Sequence, residues 1–455
     1  MRHKFRIAVF LLPASLIAGF VTGSICVAQQ PPYRLTLQGA IQKALQANLS
    51  VLVAGTRVDE AEGTRERRLS AALLPRITAQ TYANYQNRDL RAFGISLPAI
   101  PGFAGLPNVV GPFSNYDFRV YAQQNVVDLE SYRGLKASER ALDAGKMDDR
   151  DARDLIVRAI AALYLGAQSA AARVEAAQSR VTDSNTLLKL ARDKHEAGTA
   201  TGVDVLRAQV QLANDRQALL VAQNQLKQSL MTLARNLGMS PGTPLELAEP
   251  LHYKGLPPPE SETLVSAALL TRADYLSLAS QRASMVEQQR ASRARYYPKV
   301  SVNGNFGGLG RSIGSVAATG LIQGQIDFTV FDHDRNGEAQ ELASRVKRID
   351  DQIADLRRGI DEDIREALLN LDSAAEQVTV AGEGQELAQR ELKMAQDRFQ
   401  SGTANNVEVV TAQDELARAQ ENYILAVSSH VDAKFALARA MGDTEKNILQ
   451  LMGNP

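Results

Sequence analysis

One stretch of this chain occurs twice, and that duplication limits the possible folds more than any other feature. Gly198-Thr199-Ala200-Thr201-Gly202-Val203-Asp204-Val205-Leu206-Arg207-Ala208-Gln209 returns 204 residues later as Gly402-Thr403-Ala404-Asn405-Asn406-Val407-Glu408-Val409-Val410-Thr411-Ala412-Gln413. Seven of the twelve positions are identical, and Asp204 becomes Glu408. Each copy ends one long helical pattern and begins another, so each reads as the tight turn of a helical hairpin. Gly198 and Gly402 suit the left-handed conformation just past a helix end. A chain of 455 residues would ordinarily suggest two or three domains. A repeat on this scale predicts instead one architecture made of two similar halves.

The hydrophobic seams on either side of these turns carry the repeat further. Ile156, Ile160, Leu163, Ala167, Ala170, Val174, Ala177, Val181, Ser184, Leu188 and Ala191 alternate steps of four and three. That is a sustained heptad, which predicts long helices in a left-handed supercoil. The same register 204 residues on reads Ile360, Ile364, Ala367, Leu371, Ala374, Val378, Ala381, Gln385, Ala388, Leu392 and Ala395. Beyond the turns, Val205, Leu212, Leu219, Leu226 and Leu233 stand seven apart, with Val409, Leu416, Tyr423, His430 and Leu437 as their copies. A continuous helix from about 138 to 196 would span roughly 90 Å at 1.5 Å per residue. A soluble coiled coil accounts for these helices equally well.

Ahead of each long helix the period switches to two. A first helix is predicted from its Thr36 cap to Leu74, where Pro75 stops it. Ile77, Ala79, Thr81, Ala83 and Tyr85 then alternate with polar residues, and Tyr116, Phe118, Val120, Ala122 and Val126 do so again. In the second half, Tyr297-Pro298 precedes Val300, Val302 and Phe306, followed by Ile322, Ile326, Phe328 and Val330. Four strands of about ten residues, apolar on one face only, fit the outer-membrane barrel pattern. An antiparallel soluble sheet with one buried face gives the same alternation. The segment from about 87 to 112 holds Pro98, Pro101, Pro107 and Pro112 and absorbs 19 residues absent from its counterpart, as a surface loop would.

The amino terminus reads as an export leader. Arg2, Lys4 and Arg6 precede an apolar run from Ile7 to Val21, and Cys26-Val27-Ala28 offers cleavage after Ala28. Cys26 raises lipidation, but Ile25 is bulky for the position before a lipidated cysteine. Cleavage removes the only cysteine, so no disulfide or thiol chemistry is expected. It also leaves 48 basic against 51 acidic residues, a balance that does not suggest nucleic acid. No later apolar run approaches 18 residues, so no transmembrane helix is expected. The predicted organisation is a signal peptide (1–28), a first repeat (29–247), a Pro-rich linker (248–262), a second repeat (263–444) and a loose tail (445–455).

Four strands are too few to close a barrel, and open edges are excluded from hydrocarbon. Several chains must then pool strands: two would give eight and three twelve. The whole arrangement resembles the TolC-like outer-membrane efflux protein family. The matching features are Leu35-Thr36-Leu37-Gln38-Gly39-Ala40, the junctions Leu74-Pro75-Arg76-Ile77 and Tyr297-Pro298-Lys299-Val300, and the two Gly-Thr-Ala tips. Arg272-Ala273-Asp274-Tyr275 looks like the family's Arg-Pro-Asp-Leu, and Val330-Phe331-Asp332 like its strand-end segment. The duplicated order of these motifs, rather than any one of them, is specific. The resemblance implies a mainly helical fold with a β-barrel part: a homotrimer pooling four strands per chain into a twelve-stranded barrel in outer-membrane lipid. It implies a helical tunnel in the periplasm, docked at its tips by a periplasmic adaptor coupled to an inner-membrane pump. Gly198, Thr199, Gly402 and Thr403 would be the docking tips, and Asp204 and Glu408 would build the lumen constriction.

The competing reading of both carboxylates is a solvated acid in a helix's first turn, favoured by the helix dipole. Two departures bear on gating. Phe399 stands where the family's best-known member has a tyrosine, and Ala404 where it has an arginine. A search for catalytic chemistry finds no nucleophile motif and no phosphate loop, and it implies no cofactor and no enzyme. His195, His252, His333 and His430 are scattered, and Asp332-His333-Asp334 reads as a turn. The alternative is a periplasmic coiled-coil adaptor or structural protein without a membrane span, which needs no lipid-facing strands. Nothing in the sequence identifies the cargo or the pump class.

Overall fold

The computed structural model describes residues 33–95, 101–102, 107–255 and 261–452. The expected leader with Cys26, Pro98 of the first loop, Pro257-Pro258-Pro259 of the linker and the last three residues lie outside these. Each half starts with a pair of helices. In the first they are α1 (Leu37–Ala47) and α2 (Leu49–Leu73). The predicted single helix is therefore broken at Asn48, whose carboxamide accepts from the Ser50 N–H at 2.9 Å and starts a new helix. Thr36 caps α1 as expected, accepting from Gly39 N–H at 3.0 Å.

Extended chain follows. Strands β2 (Arg76–Asp89) and β3 (Val109–Val127) form an antiparallel pair, and short β1 (Tyr33–Leu35) lies ahead of α1. The longest elements are next: α3 (Leu129–Glu196, 68 residues) turns into α4 (Gly202–Asn236). A further short strand, β4 (Leu245–Leu247), pairs in parallel with β1 and ties the end of the first half to its beginning. This two-stranded ribbon was not expected from periodicity, because three residues carry no period.

The second half repeats the plan. Helices α5 (Ser261–Thr271) and α6 (Ala273–Ala294) again break after eleven residues, here at Arg272. Strands β5 (Lys299–Gly310) and β6 (Ala317–Asp327) precede α7 (Asp334–Ser401, 68 residues) and α8 (Asn406–Met441). Phe328 and Val330 lie past the end of β6, not on it as the alternation suggested. The final helix, α9 (Thr444–Met452), corrects the expectation of a loose tail: Ile448 is fully buried in the main core.

The four long strands make one antiparallel sheet in the order β2-β3-β5-β6. Its register decides what the alternation means. Ala79, Val120, Phe306 and Gly320 stand in one cross-strand row, and Ile77, Ala122, Gly304 and Ile322 in the next but one. Between them runs the row of Thr78, Tyr121, Asn305 and Leu321, and beyond them, on that same opposite face, the polar row of Arg76, Gln123, Asn303 and Gln323. The apolar positions of all four strands thus share a face. A bulge at Val126 shifts the register, so Val127, not Val126, meets Val300 on that face. Among the described residues nothing covers it: Ile322 is 85% and Phe306 70% exposed. The soluble-sheet reading, which requires a buried face, fails here. On the other face Arg119 Nε donates to the Asp117 carboxylate at 2.8 Å.

The main core sits at the middle of α3, where the ends of α4 and α8 reach it. Ile41 of α1, Ile160 and Tyr164 of α3, Leu233 of α4, Phe435 of α8 and Ile448 of α9 are buried together. Tyr164 donates its hydroxyl to the Leu35 carbonyl at 3.0 Å. By length and composition α3 alone, among the described residues, is apolar enough to cross a membrane, contrary to expectation. Half of that stretch is buried inside the bundle, and core packing accounts for its character.

His430 occupies a seam position, as its heptad predicted, with no exposed surface and neither ring nitrogen bonded. Burial, and to a lesser degree the neighbouring Lys434 ammonium, pushes its imidazole down to about 4. An unfolded chain takes up that proton near pH 6.5. Between those values the unfolded state binds more protons, so this contribution to stability is whole above about pH 6.5 and falls as pH drops toward 4. His430→Leu, which installs the residue of the first repeat at Leu226, removes this acid sensitivity. Denaturant midpoints at pH 7 and 4.5 check it; an unchanged acid loss in the variant would assign the sensitivity to other groups.

Candidate functional site

The two hairpin tips are the candidate site, and their geometry follows from the duplicated residues. Gly198 has φ 73° and Gly402 φ 79°, the left-handed conformation that favours glycine. In both, the threonine that follows closes the helix end. Thr199 N–H donates to the Lys194 carbonyl at 2.8 Å, and Thr403 N–H to the Arg398 carbonyl at 3.0 Å. The threonine hydroxyls donate to the same carbonyls at 3.1 and 3.2 Å. Gly198, Thr199, Gly402 and Thr403 are all exposed.

The next helices start differently, and this changes what each acid does. Thr201 and Asp204 cap α4 reciprocally: the Thr201 hydroxyl and N–H donate to the Asp204 carboxylate at 2.7 and 3.0 Å, and Asp204 N–H points back at the hydroxyl. The Thr201 hydroxyl, chiefly, holds the Asp204 carboxyl below its usual range. Only 9% of Asp204 is exposed, so it is not the freely solvated acid of the competing reading. In the second repeat Asn405 caps α8 alone, accepting from Val407 and Glu408 N–H at 3.1 and 3.4 Å. The Glu408 carboxylate is left free to meet Arg398, Nε to Oε2 3.4 Å.

The two tips also hold each other. Leu188, Ala191 and Leu212 of the first hairpin share a core with Leu392, Val409 and Leu416 of the second. Asn406, fully buried, donates its side-chain amide to the Asp204 backbone carbonyl at 2.8 Å. Phe399, which lacks the tyrosine hydroxyl, is buried beneath the Lys194 ammonium at 5.4 Å from its ring centroid. Ala404 contributes no charge. Asn406, Lys194 and Arg398 were missed by the sequence reading. A cation stands four residues before each tip glycine, and this repeated signal could have singled out the last two.

Further from the tips a polar layer interrupts the seam. Ser184 donates to the Asp215 carboxylate, and Gln211 reaches Asp215 at 3.5 Å and Asp414 at 3.4 Å. Burial, then the Asp215 carboxylate, pushes the Asp183 carboxyl up. Among the described residues no group of three or more His, Cys, Asp and Glu is placed to hold a metal ion. His195 is bonded through Nδ1 to the Ala200 carbonyl at 3.0 Å, and Asp332 accepts from Asp334 N–H at 3.1 Å, a turn as expected.

With this geometry in place, comparison with known proteins assigns the chain. The profile described as "Outer membrane efflux protein" matches residues 40–239 and 264–443. The chain belongs to the outer membrane efflux protein family. It is 23% identical over 419 residues to the pyoverdine export outer membrane protein OpmQ of Pseudomonas aeruginosa, covering 89% of this chain and 85% of that one. It is also 23% identical over 422 residues to the toluene efflux pump outer membrane protein TtgC of Pseudomonas putida, covering 89% and 82%. Among solved structures, the outer membrane protein VceC of Vibrio cholerae superposes with TM-score 0.75 at 19% identity, over 89% of this chain and 96% of that one. The outer-membrane channel OprN does so with TM-score 0.73 at 19% identity, over 89% of each. As a member of this family the chain is an outer membrane efflux protein. The competing reading, an adaptor without a membrane span, is set aside.

Proposed function

We propose that three copies of this chain assemble into the passive exit duct of a tripartite export system. The observation that carries this is the sheet: four strands with one continuous apolar face, and with β2 and β6 each unpaired along one side among the described residues. In lipid such edges must be paired, and three copies of four strands make a twelve-stranded closed barrel. The shortest strand of this sheet, β6, has 11 residues. At about 3.3 Å per residue and a tilt of roughly 40° it rises about 28 Å, enough for an apolar band of about 25 Å. The helices, at 68 residues roughly 100 Å long, extend the duct into the periplasm.

In this reading a leader of residues 1–28 directs export, and repeats 29–247 and 263–444, joined by 248–262, supply matching halves of the wall. A periplasmic adaptor coupled to an inner-membrane pump docks at Gly198, Thr199, Gly402 and Thr403, and the pump chooses the cargo. The duct performs no chemistry and carries no cofactor. Asp204 and Glu408 narrow the entrance, where acidic rings favour cations. Planar-bilayer recording tests this placement. Asp204→Asn with Glu408→Gln is expected to lower cation preference and divalent block while the trimer persists. Unchanged selectivity and block in the double variant would move both residues away from the lumen.

A further inference from the structure

Both repeats place a cation four residues before the tip glycine and an acid six after it: Lys194 with Asp204, and Arg398 with Glu408. Only in the second repeat do the two meet. Lys194 lies over the Phe399 ring, and Asp204 is committed to Thr201. Arg398 instead faces Glu408 with two parallel contacts, Nε to Oε2 at 3.4 Å and Nη2 to Oε1 at 3.5 Å. We propose that Arg398 is a selectivity-determining residue of the channel entrance, setting how much of the Glu408 charge a passing ion meets. The proposal rests on the reading that the tips narrow the lumen.

The backbone of Arg398 is anchored where the loop closes, since its carbonyl accepts from Thr403 N–H and from the Ser401 and Thr403 hydroxyls. Its side chain is held more loosely. Arg398 and Glu408 side chains are 58% and 46% exposed, and both contacts are long for a charged pair. Such a pair is weak and is screened by salt. Closed, it presents no net charge. Opened, it presents a carboxylate and a guanidinium apart from each other on every chain, three of each in the assembled entrance, so that a passing cation can approach the carboxylate without the arginine against it. Asp204, enclosed by its own cap and facing Arg207 Nη1 at 3.8 Å, supplies the steadier charge. The second repeat therefore carries the adjustable part of the entrance charge, and the ions it discriminates are small inorganic cations, divalent ones above all.

Reversal potentials of the full-length channel in a potassium chloride gradient, with magnesium chloride added to read block, test this. Three unit charges about 10 Å from a passing ion favour a monovalent cation and disfavour an anion by roughly two- to eightfold each, so the cation-to-anion ratio moves by roughly five- to seventyfold, the lower value near 0.1 M salt. Arg398→Gln is expected to raise the cation-to-anion permeability ratio by that factor and to strengthen magnesium block. Glu408→Gln, which leaves the arginine unpaired, is expected to lower the ratio. The exchanged pair, Arg398→Glu with Glu408→Arg, is expected to rescue the wild-type ratio; a ratio that stays displaced would overturn the pairing. If Arg398→Gln changes nothing while Asp204→Asn lowers the ratio, Arg398 has no such role and the constriction stands. If Arg398→Gln, Glu408→Gln and Asp204→Asn all leave the ratio unchanged, the constriction reading itself fails and takes this inference with it.

Discussion

Ile322→Arg is expected to destabilise the membrane-inserted channel by about 2–4 kcal/mol per chain, the cost of an arginine on the lipid face of a barrel near the bilayer midplane. Ile322 lies at the middle of β6, 85% exposed, in the apolar row with Ala122 and Gly304. The guanidinium would have to reach the interface or draw water into hydrocarbon. Gln323, one residue along, faces the other way and stands opposite Asn303. Gln323→Arg is therefore expected to cost no more than about 0.5 kcal/mol, as surface changes usually do. Denaturant unfolding in lipid vesicles compares the two. Equal losses would mean that the apolar face does not meet lipid.

Phe435→Ala is expected to cost about 3–5 kcal/mol, the range for emptying a buried aromatic site. Phe435 is 1% exposed where α1, α3, α4, α8 and α9 converge, and the Arg158 guanidinium stands 5.9 Å from its ring centroid. Arg158 is also paired with Asp432 at 2.8 Å, so the cavity would open beside an interhelical ion pair. Phe435→Leu keeps most of the volume and is expected to lose less than about 1.5 kcal/mol. Thermal unfolding in detergent gives both values. A loss for the alanine variant no larger than for leucine would show that this core does not hold the two halves together.

Much of this fold was legible because it is written twice. The tip glycines, the heptad seams and the proline stops each had a copy to check against, and a long period is hard to mistake. What was not legible lacks a period or depends on partners far along the chain. The break at Asn48 was hidden by apolar residues on both sides, though Asn-Leu-Ser is a capping sequence. Its counterpart at Arg272 was visible only indirectly. The family's proline after that arginine marks a first helical position, which Ala273 fills here. Arg272 is fixed by Asp274 and by Asp363 of α7, 91 residues away, a pairing no local pattern announces. The bulge at Val126 follows from the partner strand's register. At the tips, spacing placed the two acids but hid their difference, because replacing Thr201 by Asn405 looks conservative until each cap's hydrogen bonds are counted.

The oligomeric state of the folded protein tests the central claim most directly. If the four strands lie in the membrane, their sheet, with β2 and β6 at open edges among the described residues, has no stable membrane form alone. Native mass spectrometry of the detergent-purified channel is expected to give three chains per particle, with β2 of one copy protected against β6 of the next in hydrogen exchange. A folded, stable monomer whose β2 and β6 amides exchange freely would contradict the account.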